Sequence, residues 1–462
     1  MIVTVMKNAA RWAAAMTLLA SSLQAGAQAT PKFADAQASD PVTMGWMAGS
    51  PPPADKLIQF ADGTFRKFPQ IRWSFSNYRQ FVPTSAVARG TGPVSVLPVA
   101  ARQDIDGVRF QVMGSGETMT WGQSLGANYT DGIVVLHKGR IVYERYFGVF
   151  KPQGQHIAMS VTKSFIGTIG AMLVADGVID ENALTSKYVP ELKDTGFADV
   201  TVRQLLDMTT GIKYSENYAN PKAEIFEHTR AGGVTPRPPD YEGPKSFYEF
   251  LQTIKKEGAH GQAFAYKTVN SDALGWVIRR ATGKSIGENL QERIWSKLGA
   301  EQDAYFTIDS TGTEFAGGGL NAGLRDMARF GQMMLLDGNY NGQQIVPSKV
   351  VADIRNGGGK TEFAKAGYKT LPGWSYRDMW WVSHNEHGAY SARGVHGQAI
   401  YIDPKAEMVI ARFASHPLAG NPNNDPTSLP AYHALAKHLM AHPVTGAAAN
   451  GHEATQADAS SR

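Results

Sequence analysis

The chain has 462 residues, 43% of them hydrophobic and 19% charged, the proportions of an ordinary globular protein with room for one large domain or two to three small ones. A net charge of +4 with scattered basic residues argues against a nucleic-acid partner, which calls for a basic stripe. There is no cysteine, so no disulfide staples the fold and no lipid-modified cysteine can follow an export signal.

Residues 1–29 have the pattern of a secretory signal peptide: Lys7 and Arg11, then the apolar run Trp12 to Ala20, then Ala27-Gln28-Ala29 as a cleavage site. The run is far short of the roughly 20 residues of a membrane span. The expectation is a periplasmic or secreted protein with no membrane association after cleavage. Residues 30–105 are rich in proline, glycine and aromatics, which predicts an irregular layer wrapped over the main body. The stretch GIVVLHKGRIVYERYF at 132–147 alternates around Lys138-Gly139 and predicts a hairpin.

Within His156 to Asp180, Ile157, Val161, Phe165, Ile169 and Leu173 recur every four residues, predicting a helix with one apolar stripe. Short helices are expected at Leu184–Tyr188 and Thr201–Met208, the second capped by Gly211. The segment 212–245 reads as long and irregular, of the kind that lines a site. Helical periodicity returns at 246–257, 271–282, 286–298 and 323–337. Strands are expected at Trp374–Val382, Gln398–Ile402 and Glu407–Ala414, then a helix over Leu429–Leu439 and a disordered tail at 443–462. Strands at both ends with helices between them predict an α/β (α+β) fold over 106–442. One antiparallel sheet would be built from the two ends, flanked by helices, with a mostly helical insertion at about 180–370.

Ser160 and Lys163 are the chain's single S-x-x-K pair, three residues apart on one helix face with Cβ atoms roughly 5–6 Å apart. Serine needs an adjacent base to become a nucleophile, and lysine is that base only if its pKa is lowered. Tyr266, followed four residues later by Asn270, offers a second proton-handling group; near a lysine ammonium its pKa is expected to fall. A tyrosine that only packs its ring is the plainer reading of the same residue. Gly394-Val395-His396-Gly397-Gln398 leads into a strand, where glycines let a backbone N–H face a substrate oxygen.

Five pieces in order, SVTKSFIGTIGAMLVADGVID, VTVRQLLDMTTGI, FAYKTVNSDALGWVIRRATG, AGGGLNAGLRDMARFGQMMLLDG and VHGQAIYIDP, carry a resemblance over about 130–440. The chain resembles the serine β-lactamase and penicillin-binding-protein superfamily, and within it the class C-like esterases and 6-aminohexanoate-dimer (nylon oligomer) hydrolases. The resemblance implies that Ser160 is acylated, with Lys163 and Tyr266 handling its proton and the amides of Ser160 and Val395 forming the oxyanion hole. YSENYANP is similar to the nylon-hydrolase stretch whose second tyrosine contacts the scissile amide, here Tyr218. Val395-His396-Gly397 stands where K-T-G is usual, which counts against β-lactams and places His396, with Asn270, among the substrate-binding candidates. The acidic residue that some nylon hydrolases carry eleven positions after the substrate tyrosine is Thr229 here.

The expected activity is hydrolysis of a small carboxylic ester or linear amide through an acyl-enzyme, with no cofactor and no metal; assembly as a homodimer is allowed. The alternatives are a penicillin-binding peptidase or β-lactamase, and a non-catalytic binding protein of the same fold. Gly357-Gly358-Gly359-Lys360-Thr361 ends like a P-loop, but Ile354 holds the required glycine position. His384-Asn385-Glu386-His387 lacks H-E-x-x-H and reads as a surface turn.

Overall fold

The chain is built on a hairpin that Lys138 and Gly139 close with φ of +51° and +72°, the left-handed pair a two-residue turn requires. The computed structural model describes residues 33–442. The expected signal peptide and C-terminal tail lie outside the described residues. Asp35 to His442 lie in one compact unit.

The strands used below, in chain order, are β1 (Thr84–Val87), β2 (Thr130–His137), β3 (Arg140–Tyr146), β4 (His156–Ile157), β5 (Ala304–Thr307), β6 (Leu320–Ala322), β7 (Ser375–Arg377), β8 (Trp380–Val382), β9 (Tyr390–Gly394), β10 (Gln398–Asp403) and β11 (Met408–Ala414). The helices used below are α1 (Val161–Ala175), α2 (Val202–Leu206), α3 (Glu224–Ala231), α4 (Phe247–Leu251), α5 (Val269–Thr282), α6 (Ile286–Arg293), α7 (Leu324–Leu335), α8 (Ser348–Asn356) and α9 (Asp425–Ala441). The main sheet is antiparallel in the order β7-β8-β9-β10-β11-β2-β3, so both ends of the chain build it. A smaller sheet runs β1-β5-β6-β4.

Side-chain alternation splits the central strands between two cores. Val134, Leu136, Ile400, Val409 and Ala411 join the core containing α1, α5 and α7. Ile133, Val135, Tyr401, Met408 and Ile410 pack with Trp121, Tyr432 and Leu435 on the opposite face. Covered on both sides, these strands read as nearly continuous apolar runs. The N-terminal segment adds a third cluster, in which Phe65, Phe75 and Tyr78 pack with Met159 and Phe315 and Val395 lies against them.

Several sequence expectations need correction. Helix α1 is buried over Val161–Leu173 on every face, not along one stripe, because it runs between the sheet and the helical region. Its polar side chains are satisfied internally: Ser164 Oγ donates to the Met379 carbonyl (2.7 Å) and Trp380 Nε1 donates to Thr168 Oγ1 (3.0 Å). Trp374–Val382 is two strands, because Asp378 and Met379 take φ of +47° and +62° and turn the chain back on itself. Gly211 does not cap α2, which ends at Asp207 with Met208 in the left-handed region. It is needed because a Cβ there would lie 2.4 Å from the Gly258 carbonyl oxygen. The stretch 212–245 contains helix α3, and the helix expected at 246–257 closes after Leu251. Strands β5, β6 and β9 and helix α8 are additions, and α9 starts earlier than expected, at Asp425 with a proline in its first turn. No helix among the described residues is long and apolar enough to cross a membrane.

Candidate active site

Ser160 sits at the N-cap of α1, brought there by the short β4 strand and by Met159, whose φ of +47° turns the chain sharply into the helix. The preceding chain is pinned by Ala158 N–H to the Leu320 carbonyl (2.8 Å) and Ile157 N–H to the Phe75 carbonyl (3.0 Å). One turn along, Lys163 is buried and its Nζ lies 2.9 Å from Ser160 Oγ. The same nitrogen donates to the Gly317 carbonyl at 2.5 Å. Among the described residues Lys163 forms no salt bridge. Burial lowers its pKa to about 8, against the opposing pull of Glu216 and Asp272. Roughly a tenth of the lysine is then a neutral amine at pH 7, able to accept the serine proton.

Gly317 is held in turn by Asp272, whose Oδ1 accepts its N–H at 3.2 Å, and Asp272 Oδ2 lies 3.0 Å from His228 Nε2. A Cβ at Gly317 would fall 2.2 Å from Thr268 Cγ2, so only glycine lets this carbonyl reach the lysine.

Tyr266 lines the same cavity as Ser160. Its ring stacks on Trp381 with centroids 5.4 Å apart, and the Lys163 ammonium stands 5.1 Å from its centroid. The lysine does not lower the phenol's pKa, as the sequence reading expected. Burial and the Glu216 carboxylate push it well above the usual value, while the neighbouring Ser160 hydroxyl and Arg393 offset only part of this. Tyr266 is a neutral phenol in the free site.

The end of β9 passes beside Ser160. A Cβ on Gly394 would lie 2.9 Å from the Ala158 carbonyl oxygen and 3.0 Å from the Ser160 nitrogen. This close approach sets the Val395 amide beside the Ser160 amide, and among the described residues neither amide donates a hydrogen bond. Two unpaired N–H groups next to a nucleophile-base pair can stabilise an oxyanion.

Two adjoining cavities, of about 310 and 1030 Å³, share Ser160, Glu216, Tyr218 and Val395. The smaller is walled by Tyr266, Tyr368, Leu371 and Trp381, with the Arg393–Asp425 ion pair at its edge. The larger carries Arg66, Lys67, Arg230 and Arg237 against Asp62 and Glu216. Tyr218 donates to Glu216 Oε2 (3.2 Å), and Glu216 Oε1 accepts the Thr268 N–H, so this carboxylate fixes both the tyrosine and the start of α5. His396 lines the larger cavity; its Nδ1 lies 2.7 Å from the His416 carbonyl and therefore carries the proton. Burial lowers its pKa to about 4, so it is neutral.

Ser160, Lys163, Tyr266, Val395, Tyr218 and His396 are thus gathered around one cleft. Asn270 is not: it is fully buried in the first turn of α5, its Oδ1 accepting from Thr210 Oγ1 at 2.9 Å, and it lines neither cavity. Thr268, two residues after Tyr266, reaches the cleft instead. Sequence reasoning also passed over Glu216, Gly317, Tyr368, Trp381 and Arg393. For Glu216 the signal available was its place two residues before Tyr218 in an irregular segment.

The beta-lactamase family profile matches residues 123–429. The 6-aminohexanoate-dimer hydrolase of Paenarthrobacter ureafaciens is 35% identical over 356 residues, covering 77% of this chain and 88% of its own length. A Bacillus anthracis structure assigned provisionally as a 6-aminohexanoate-dimer hydrolase superposes with a TM-score of 0.77 at 35% identity, covering 85% of this chain and all of its own. The octameric penicillin-binding protein homologue of Pyrococcus abyssi shares the fold, with a TM-score of 0.53 at 21% identity over 69% of this chain and 76% of its own. The chain belongs to the serine β-lactamase superfamily and is a hydrolase of that fold.

Proposed function

We propose that the protein hydrolyses a small carboxylic ester or linear amide through an acyl-enzyme on Ser160. The observation that carries this reading is the 2.9 Å contact between Ser160 Oγ and a buried lysine nitrogen that burial holds partly neutral. Lys163 takes the hydroxyl proton as Oγ attacks the carbonyl carbon. The amides of Ser160 and Val395 receive the developing oxyanion. Tyr266, a neutral phenol, donates its proton to the departing oxygen or nitrogen, and the Lys163 ammonium then returns a proton to the phenolate. Water attacks the ester with the same groups as base, releasing the acid and regenerating Ser160.

For the substrate, the aromatic wall of Tyr266, Tyr368 and Trp381 suits an apolar chain in the smaller cavity. At position 229 the larger cavity has a threonine and not a carboxylate, and its cations Arg66, Lys67, Arg230 and Arg237 outnumber its carboxylates Asp62 and Glu216. Such a wall favours a substrate end that is neutral or anionic over one that carries an ammonium. The signal-like sequence at 1–29 supports work outside the cytoplasm.

The test is a panel of short-chain esters, 6-aminohexanoate dimer and the chromogenic cephalosporin nitrocefin, with Ser160→Ala as control. Turnover of esters or the dimer by the wild type, lost in Ser160→Ala, is the expected result. Hydrolysis retained in Ser160→Ala would sink the assignment, and nitrocefin as the preferred substrate would overturn the substrate reading.

A further inference from the structure

The turn joining β8 to β9 carries Glu386 and His387, and α9 brings His433 against it, with the two imidazole centroids 4.7 Å apart. We propose that Glu386, His387 and His433 form a binding site for a divalent transition-metal cation, with Zn²⁺ the best fit, separate from the active site. One ligand atom from each of the three lies within 4.8 Å of the others, close enough for small side-chain rotations to bring them onto a single ion.

The strongest support is the shell behind the histidine. His387 is buried, and its Nδ1 lies 2.8 Å from Asp403 Oδ2 at the end of β10. Asp403 is itself fixed, because Oδ1 accepts the Ala406 N–H at 3.0 Å. A carboxylate on one ring nitrogen sets the tautomer and leaves Nε2 as the donor atom, the arrangement found behind metal-bound histidines. His433 presents Nε2 to Glu386 Oε1 at 3.1 Å, and its Nδ1 is buried without a hydrogen-bond partner. Besides Asp403, the charged group that reaches the cluster among the described residues is Lys437, 3.8 Å from Glu386 Oε1 on the solvent side, which a bound cation would displace.

Two imidazoles and one carboxylate select Zn²⁺, Cu²⁺ or Ni²⁺ over Mg²⁺ and Ca²⁺, and three protein ligands leave a position for water. None of these residues lines the active-site cavities. A bound ion would clamp the β8–β9 turn to the C-terminal helix. The H-N-E-H sequence shows no metal motif by itself because the third ligand comes from a different element, more than 40 residues along the chain.

The experiment is calorimetric titration of chelator-stripped, tag-free protein with ZnCl₂. One site per chain is expected, weakened at least 100-fold in His387→Ala and in His433→Ala and about 10–100-fold in Asp403→Asn, while His442→Ala binds as the wild type does. Equal affinity in the wild type and the two histidine variants, or binding that is lost with His442 instead, would overturn the proposal. Because a variant could lose binding by misfolding, a zinc-edge anomalous map of the soaked wild-type crystal provides a second measurement. It should show its peak between His387 and His433; a peak only elsewhere overturns the site.

Discussion

Replacing Lys163 by methionine removes a buried amine while keeping most of its volume, and its effect on stability has a distinctive pH dependence. The folded pKa of Lys163 lies at about 8 against an ordinary 10.5, so below pH 8 the folded state binds its proton less favourably than the unfolded chain. The depression is equivalent to about 3 kcal/mol of destabilisation at neutral pH, and it disappears as pH rises from 8 toward 10.5. Methionine lacks this term at every pH. It also leaves the Gly317 carbonyl without its donor, a loss of about 1–3 kcal/mol that does not change with pH. The difference in unfolding free energy between wild type and Lys163→Met should therefore move by about 2–3 kcal/mol in favour of the wild type between pH 7 and pH 10. Urea denaturation of both proteins at the two pH values measures it. A difference that stays constant within about 0.5 kcal/mol would show that Lys163 is not depressed in the folded state and would refute the reasoning.

Further outcomes follow from the same geometry. The acidic limb of kcat/KM should rise tenfold per pH unit and level off near pH 8, and Glu216→Gln should move it to lower pH, since that carboxylate raises the lysine's pKa; a limb near 10.5 would contradict this. Gly394→Ala should lower kcat by about 100-fold, because its Cβ would crowd the Ser160 amide and push β9 away from the oxyanion position; unchanged kcat would argue against that role for Val395. Gly167→Ala should destabilise the protein by about 3 kcal/mol or more, read as a lowered Tm, because the new Cβ would sit 2.1 Å from the Asp378 carbonyl oxygen in the buried β7–β8 turn; a Tm within a degree of wild type would contradict the packing.

The parts of the molecule legible in sequence are those set by local chemistry. The four-residue recurrence of Val161, Phe165, Ile169 and Leu173 marks α1, and Lys138-Gly139 marks the hairpin, because each follows from backbone geometry within a few residues. Ser160 and Lys163 meet for the same reason. The β7–β8 hairpin was hidden because its left-handed positions are Asp378 and Met379 rather than Asn-Gly, and the turn is held by buried contacts from α1 and α2. Strand β9, YSARG, carries little apolar alternation, since its neighbours in the sheet decide its place. Asn270 looked like a partner for Tyr266, but α5 begins between them and turns the amide into the core toward Thr210. Glu216 and Gly317 act only across the fold, and nothing within their own segments shows that one sets the electrostatics of the site and the other anchors its lysine.

Labelling with a fluorophosphonate, followed by intact-mass and peptide-mass measurement, tests the central claim most directly. The account predicts one adduct per chain, located on Ser160, forming faster as pH rises toward 8 and absent from Ser160→Ala. A wild-type protein that hydrolyses its substrate yet takes no label, or one whose label lies on another residue, would contradict it.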